Sequence, residues 1–132
     1  MAIDNTVTVE DVMATPVEPI ARDATVSEAA KTMRENDINS LLVPGPEMGI
    51  VTSTDVLDAV AEGQDPTATQ VEEVMTAPAE SVGMNLGMEE VAAMLTNYDI
   101  SHLPVRDHHG DYVGMVSSTD IYELLAGSAV EQ

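Results

Sequence analysis

The sequence predicts a mixed α/β (α+β) fold built from two tandem copies of one β-α-β-β-α unit. The first observation is an internal repeat, because Val-Glu-Asp-Val-Met at residues 9–13 returns as Val-Glu-Glu-Val-Met at residues 71–75. The second observation is that each copy contains one stretch with helical apolar spacing, followed by short runs rich in β-branched residues. A fixed internal period indicates a repeated supersecondary unit, so we divide the chain into repeats 1–64 and 65–132.

Each copy opens with a short helical turn. In the first copy, Thr8 and Asp11 have the spacing of a helix N-terminal cap. In the second copy, Thr69 and Glu72 have the same spacing, and they follow a polar linker that contains Pro66. We therefore expect both opening turns to begin at a threonine.

An amphipathic helix and short strands make up the body of each copy. In the first copy the helix is predicted from about 26 to 36, with Thr25 and Glu28 forming a capping box. In the second copy it is predicted from 88 to about 98, directly after Gly87. The segments predicted to be extended are 17–20, 40–43 and 48–51 in the first copy, and 79–82, 102–105 and 112–116 in the second.

A last helix closes each copy, beginning near Ser53 or Ser118 and stopping at Gly63 or Gly127. A unit of roughly 50 residues buries too little surface to be stable alone. The two copies are therefore expected to pack sheet to sheet with pseudo-two-fold symmetry, leaving equivalent ligand clefts at their interface.

The composition excludes several classes of function. With 24 Asp and Glu against 4 Lys and Arg, the formal net charge is −20, which argues against nucleic-acid binding because phosphate contacts need clustered cations. The absence of cysteine excludes disulfides and thiol chemistry. Neither a secretion signal nor an apolar run of about 20 residues is found, so we expect a cytoplasmic protein that does not enter membranes.

The acidity itself resembles that of proteins from extreme halophiles, which keep molar potassium in the cytoplasm. At about 1 M salt the Debye length is roughly 3 Å, so neighbouring carboxylates repel one another little. The chain is also 44% hydrophobic, with its apolar residues in periodic runs, so it is expected to fold. We interpret the charge as an adaptation to the solvent.

Two equivalent segments join a predicted strand to a helix start: Gly-Ile-Val-Thr-Ser-Thr-Asp at 49–55 and Gly-Met-Val-Ser-Ser-Thr-Asp at 114–120. The glycine permits close backbone approach, and hydroxyl and N–H groups at a helix start can bind an anion. The carboxylates of Asp55 and Asp120 can accept hydrogen bonds from a ribose diol. The alternative is that the first serine of the helix is an N-cap and the aspartate only complements the helix dipole. The repetition favours binding, with which capping can coexist.

In this order, and present twice, the motifs resemble those of tandem CBS (cystathionine-β-synthase) domains. They are Val-x-Asp/Glu-Val-Met, the Glu-Ala-Ala or Glu-Val-Ala helix, Ile-x-x-Leu-x-Val, and Gly-h-h-Thr/Ser-x-x-Asp, where h is hydrophobic; they extend from about residue 8 to 127. The resemblance implies β-α-β-β-α repeats, disc-shaped homodimers and two clefts per pair. It also implies a regulatory ligand (AMP, ADP, ATP or S-adenosylmethionine) and no required cofactor.

The resemblance implies specific ligand-binding residues. The implied ribose and phosphate contacts are Thr52, Thr54 and Asp55 in the first copy, and Ser117, Thr119 and Asp120 in the second. The positions implied to lie against the base are Pro16, Val17, Ile38, Pro78, Ala79 and Ile100.

One further implied contact differs between the copies. His102 stands where some phosphate-binding members have a basic residue, whereas Ser40 holds that position in the first copy. The alternative is that His102 is an edge-strand residue bonded to backbone. Because polyphosphate-binding members supply several Lys or Arg, we rank AMP or S-adenosylmethionine above ATP.

These features predict a sensor module whose ligand modulates a partner protein, rather than an enzyme. The alternative is a ligand-free dimerisation or scaffold module that uses the same fold. His108 and His109, with Asp107 and Asp111, suggest a metal site, but an exposed polar hairpin turn is the preferred interpretation.

Salt dependence tests the interpretation of the charge. We expect the protein to unfold when it is moved from molar KCl to millimolar salt, because the repulsion among 24 carboxyl groups is then no longer screened. Circular dichroism over a KCl series measures this. A native spectrum in millimolar salt would contradict the halophilic interpretation.

Overall fold

The computed structural model describes residues 7–130, and side chains up to residue 126. The described residues form two units. Unit 2 is the continuous segment Glu18–Ala79, and unit 1 joins the residues up to Val17 to those from Glu80 onward. Each unit therefore contains residues of both sequence repeats.

Unit 2 contains two helices, a two-stranded sheet and a 3₁₀ turn. Its elements are α2 Val26–Asn36, β1 Ser40–Val43, β2 Gly49–Thr52, α3 Ser53–Ala61 and the 3₁₀ turn Val71–Glu73. The strands pair antiparallel, with Ser40 opposite Thr52. The helix α2 begins as predicted, because the Thr25 side chain accepts a hydrogen bond from the Glu28 N–H at 3.0 Å.

Unit 1 contains three helices and a three-stranded sheet in the order β3-β4-β5. Its elements are α1 Val9–Val12, β3 Val82–Gly83, α4 Met88–Asn97, β4 His102–Arg106, β5 Tyr112–Ser117 and α5 Ser118–Val130. The strands β3 and β4 are parallel, and β4 and β5 are antiparallel. The mixed α/β fold class predicted from the sequence is confirmed.

The opening turn of each sequence repeat lies in the unit that holds the strands of the other repeat. Val9 of α1 is fully buried in the core of unit 1, where its N–H donates to the Leu86 carbonyl at 2.9 Å. Val71 of the 3₁₀ turn is fully buried in the core of unit 2, where its N–H donates to the Ala24 carbonyl at 2.8 Å. These apolar contacts bring residues distant in sequence into one core.

The second opening turn begins one residue later than predicted. The Gln70 N–H, not the Thr69 N–H, donates to a carboxylate, that of Glu73 at 2.7 Å. The repeat offset of 62 residues already aligns Gln70 with Thr8. The choice of Thr69 was wrong because it assumed that the cap must carry a hydroxyl. The bond to the carboxylate comes from a backbone N–H, which any residue except proline supplies, and the Thr69 N–H donates instead to the Asp65 carbonyl at 2.9 Å.

Two other predicted boundaries differ from the structure. The helix α5 does not stop at Gly127 but continues to Val130, since a glycine inside a helix costs only about 1 kcal/mol relative to alanine. Of the extended segment predicted at 17–20, only Pro19 makes a bridge, to Leu42, where the Ile20 N–H donates to the Leu42 carbonyl at 2.8 Å. The next ladder bond would need an N–H at Pro44, which has none. Gly63 does follow α3 as predicted, with a positive φ of 81°.

A substitution at Val71 tests its place in the core of unit 2. Val71→Ala is expected to lower the free energy of unfolding by about 2 kcal/mol, because two buried methyl groups are lost and a cavity remains. Denaturant unfolding in molar KCl measures this. Glu35→Ala is the control, since Glu35 is exposed on α2 and its loss should change stability by less than about 0.5 kcal/mol. Equal, small effects would place Val71 outside the core.

Candidate functional site

The segment from Thr52 to Asp55, called here the unit 2 corner, joins the end of β2 to the first turn of α3. The Thr52 N–H and hydroxyl donate to the Asp55 Oδ2 atom at 2.8 and 3.1 Å, and the Asp55 N–H donates to the Thr52 hydroxyl at 3.4 Å. Both residues are partly buried. This reciprocal capping box fixes the carboxylate relative to the strand end.

The N-cap of α3 is therefore Thr52, and the alternative that the first serine of the helix, Ser53, is the cap was wrong by one residue. Thr52 has the extended conformation of an N-cap, with φ −123° and ψ 167°, because it is also the last residue of β2. Asp55 consequently makes specific hydrogen bonds, in addition to any interaction with the helix dipole.

The segment from Ser117 to Asp120, the unit 1 corner, has the same two bonds to its aspartate. The Ser117 N–H donates to Asp120 Oδ2 at 2.8 Å, and the Ser117 hydroxyl lies 3.3 Å from the same oxygen. The repeated motif thus builds the same strand-to-helix junction once in each unit.

Each corner is bonded to the loop that precedes the first of its two antiparallel strands. The Ser53 N–H donates to the Asn39 carbonyl, and the Ser118 N–H donates to the Ser101 carbonyl, both at 2.9 Å. The predicted base contacts Ile38 and Ile100 are the chain neighbours of these acceptors. The structure therefore brings each isoleucine's segment to its corner.

His102 is also brought to the unit 1 corner. It pairs in register with Ser117 across β4 and β5, so their Cβ atoms are expected to be about 4.5–5.5 Å apart. Its Nδ1 atom is buried. In unit 2 the matching position is Ser40, which is buried and pairs with Thr52. The two corners therefore differ in the residue beside the strand-end hydroxyl.

Two pairs of predicted base contacts, Pro16 with Val17 and Pro78 with Ala79, lie toward the other end of β2 and β5 within their units. In unit 2 the Ala79 N–H donates to the Met48 carbonyl at 2.8 Å, four residues before Thr52, or roughly 13 Å along a strand. In unit 1 Ala14 pairs antiparallel with Met115, so the chain runs away from the corner as it reaches Pro16 and Val17. The structure does not bring these dipeptides to the corner of the same unit.

The glycine that opens each repeated motif has a packing role that the sequence reading missed. A Cβ added at Gly49 would lie 2.8 Å from Met75 Sδ, and one at Gly114 would lie 2.6 Å from Met13 Sδ. These methionines end the Val-x-x-Val-Met segments, so the close approach that glycine permits is to a side chain of the opening turn. The recurrence of both motifs in each copy, the methionine at an offset of 62 residues and the glycine at 65, was the available signal.

The described arginine contacts lie away from the corners. Arg22 donates to the carbonyls of Pro44 and Glu47 at 3.3 and 2.7 Å, and Arg106 donates to the Gly110 carbonyl at 3.2 Å. Both guanidinium groups thus fasten the turn that joins two strands, at the opposite strand ends. Within the described residues they supply no bond to either corner.

A cavity lies beside the hairpin turn in each unit, and neither cavity is lined by a predicted ligand residue. The cavity of unit 2 has a volume of about 420 Å³ and that of unit 1 about 360 Å³. Their linings are Pro19, Ile20, Ala21, Arg22, Asp23 and Pro44 in unit 2, and Gly83, Met84, Asn85, Leu86, Arg106, Asp107 and His108 in unit 1.

The polar segment at residues 107–111 forms a hairpin turn held by a carboxylate. Asp107 Oδ1 accepts hydrogen bonds from the Asp111 and His109 N–H groups at 3.0 and 2.9 Å. The bond from Asp111 is the main cause that lowers the pKa of Asp107 below its ordinary value.

Among residues 7–126 no three His, Asp or Glu side chains are grouped to hold a metal ion. In the same part of the chain, no helix combines the length and apolarity that crossing a membrane requires.

The geometry and the sequence together place the chain in a family. The sequence model of the CBS domain matches residues 9–62 and again residues 71–127. The chain belongs to the CBS domain family and carries two copies of the domain.

Curated relatives of two kinds share this pair. The chain is 36% identical to an L-aspartate semialdehyde sulfurtransferase of Methanosarcina acetivorans over 89% of its own length, but it spans only 24% of that enzyme. It is 30% identical to the CBS domain-containing protein YhcV of Bacillus subtilis, over 86% of this chain and 81% of that protein. The chain thus spans about a quarter of the first enzyme's length and most of the small protein's.

Solved structures share the fold. A CBS domain pair crystallised with 5′-methylthioadenosine and S-adenosyl-L-methionine has a TM-score of 0.83 and 29% identity, covering 93% of this chain and 98% of that one. A hexameric CBS-CP12 protein from bloom-forming cyanobacteria has a TM-score of 0.82 and 33% identity, covering 88% of this chain and 69% of that one.

The capping box makes a prediction that is independent of any ligand. Thr52→Ala is expected to lower the free energy of unfolding by about 1 kcal/mol, because the Asp55 N–H loses its acceptor. Thr52→Ser is the matched control, since it keeps the hydroxyl and reproduces the residue at Ser117. Denaturant unfolding compares the two. Equal stability of the two variants would show that the hydroxyl does not cap α3.

Proposed function

We propose that this chain is a regulatory module that binds an adenosine-type ligand at its corners and thereby alters the activity of a partner protein. The observation that carries the proposal is the hydroxyl–carboxylate corner, which recurs with the same bonds at Thr52 and Asp55 and at Ser117 and Asp120. The CBS domain pair that was crystallised with two adenosine compounds supports the ligand class.

The proposed chemistry uses groups that the capping boxes already orient. The Ser117 N–H and hydroxyl both point to one oxygen of Asp120, Oδ2, whereas an ionised carboxylate has about four acceptor sites. Capping and acceptance of a ribose hydroxyl are therefore compatible. The hydroxyls of Thr54 and Thr119, and the N–H groups of the helix starts, are proposed to contact the ribose or a phosphate.

The distribution of charge favours a ligand with few phosphates. Arg22 and Arg106 donate to turn carbonyls, and the formal net charge is −20, so a polyphosphate would meet a negative field. We therefore rank AMP, 5′-methylthioadenosine and S-adenosylmethionine above ADP and ATP, which would need magnesium or potassium to compensate. His102 is the proposed additional contact to a phosphate, and it would favour the unit 1 corner for AMP.

The base is proposed to contact apolar residues near the corners. Ile38 and Ile100 are the first candidates, because the residues that follow them bond to the helix starts. Pro16, Val17, Pro78 and Ala79 remain predicted contacts from the family resemblance.

We propose regulation rather than catalysis for this chain. The enzymes among the curated relatives match it over about a quarter of their length, whereas YhcV matches over most of its length. The acidic surface is proposed to reflect a cytoplasm with a high salt concentration.

A second candidate function is a ligand-free dimerisation or scaffold module. Exposed apolar side chains on two helices favour it: Leu57 and Val60 on α3 are 68% and 53% exposed, and Tyr122 on α5 is 74% exposed. We propose that a homodimer forms under either hypothesis. The hypotheses differ in whether an adenosine compound changes stability.

Thermal unfolding in molar KCl with each adenosine compound tests the main proposal. AMP, ADP, ATP with magnesium, S-adenosylmethionine, 5′-methylthioadenosine and NAD are added in turn. A ligand at a hundred times its Kd should stabilise the protein by about 2.7 kcal/mol, which raises Tm by several degrees. A Tm that none of the six compounds changes would favour the scaffold hypothesis.

The variant Asp55→Ala with Asp120→Ala should abolish that ligand-induced shift while lowering the ligand-free Tm, because the Thr52 and Ser117 N–H groups lose their carboxylate acceptors. Asp11→Ala is the matched control, because Asp11 accepts the same two bonds from Thr8, at 3.0 and 3.2 Å, outside both corners. Asp11→Ala should keep the full shift. Retention of the shift in the double variant would contradict the assignment of the corners.

A further inference from the structure

Two residues other than glycine have a positive φ within the described chain, and they occupy equivalent positions in the two repeats. Asp37 has a φ of 55° and Asp99 a φ of 52°. Residues with a side chain seldom adopt this left-handed conformation; aspartate tolerates it better than most, and β-branched residues almost never adopt it. Its occurrence at the same place in both copies calls for a shared cause.

In unit 2 the left-handed residue ends α2. The Asp37 N–H donates to the Arg34 carbonyl at 3.3 Å, and the Ile38 N–H donates to the Met33 carbonyl at 2.9 Å. Bonds of this kind turn the chain sharply at a helix C-terminus, and glycine is the residue most often found there. Asp37 is exposed, so packing of its side chain does not account for the conformation.

Unit 1 repeats the arrangement at the end of α4. The Asp99 N–H donates to the Thr96 carbonyl at 3.3 Å, and the Ile100 N–H donates to the Leu95 carbonyl at 3.1 Å. Asp99 is exposed as well. The backbone conformation is thus common to both units, although the two helices differ in sequence.

Two residues beyond each turn, the chain meets the corner. The carbonyl that accepts the first helical N–H of α3 belongs to Asn39, and the one that accepts the first helical N–H of α5 belongs to Ser101. The next residues along, Ser40 and His102, pair with the residues that hold the corner aspartates. The direction in which the chain leaves the left-handed turn therefore sets where the corner's acceptor carbonyl lies.

We propose that Asp37 and Asp99 are positioning residues for the two corners, acting through their left-handed backbone conformation. Each directs the following carbonyl onto the first N–H of the helix and so holds the corner in the geometry that ligand binding uses. The part of this inference that concerns binding rests on the proposed function, whereas the part that concerns the corner's geometry does not.

The test uses three variants of the full chain that all change unit 2. Asp37→Val disfavours the left-handed conformation, and Asp37→Gly keeps it while removing the side chain. Gly63→Val is the matched control, because Gly63 also has a positive φ, 81°, but lies beyond α3 with no other atom within 4 Å of an added Cβ. Asp37→Ala replaces Asp37→Val if the valine variant does not fold.

Two measurements are made in molar KCl. Hydrogen exchange of the Ser53 amide, followed by NMR, reports the bond to Asn39 without any ligand. Titration calorimetry with S-adenosylmethionine and with AMP reports Kd. We expect Asp37→Val to accelerate the exchange and to weaken binding at this corner by roughly tenfold each. Asp37→Gly and Gly63→Val should change both by less than about twofold.

The outcomes separate the two proposals. Wild-type exchange of the Ser53 amide in Asp37→Val would overturn the positioning role, whatever the ligand result. Accelerated exchange in a protein whose wild type binds neither compound, and whose Tm none of the six compounds changes, would support positioning and contradict the proposed function. Accelerated exchange with an unchanged Kd would overturn the link between the turn and binding.

Discussion

The hydrogen bonds between the last residue of a strand and an aspartate three residues later fix the geometry on which both units depend. Thr52 donates its N–H and hydroxyl to Asp55, and Ser117 does the same to Asp120. These bonds decide that β2 and β5 pass into helices without a loop, since one residue serves as strand end and as N-cap. The same bonds orient the carboxylates that we propose to bind a ribose, so stability and function share these atoms.

A second constraint, apolar burial, joins residues of the two repeats within each unit. The opening turn carries one fully buried valine, Val9 or Val71, and one methionine that lies against the glycine of the corner motif. A turn of three or four residues cannot form a core of its own. In each unit it is buried among strands and helices of the other repeat.

Several charged side chains hold local structure. Arg22 and Arg106, two of the four Lys and Arg residues, bond to carbonyls in the turns between strands. Carboxylates at Asp11, Asp55, Asp107 and Asp120 accept backbone N–H bonds, so part of the acidic excess holds local structure. The corner of unit 1 has His102 at the position that Ser40 occupies in unit 2.

The sequence by itself determined the repeat, the mixed α/β class, and the approximate bounds of α2, because periodicity and capping are local properties of a helix and its flanks. It also placed Thr52, Asp55, Ser117 and Asp120 at two strand-to-helix junctions. Only the tertiary structure decided that Gln70 opens the second turn, that Gly49 and Gly114 accommodate methionines, and that each unit combines both repeats. These features depend on contacts between residues far apart in the chain, and no local pattern encodes which distant segment covers an apolar side chain.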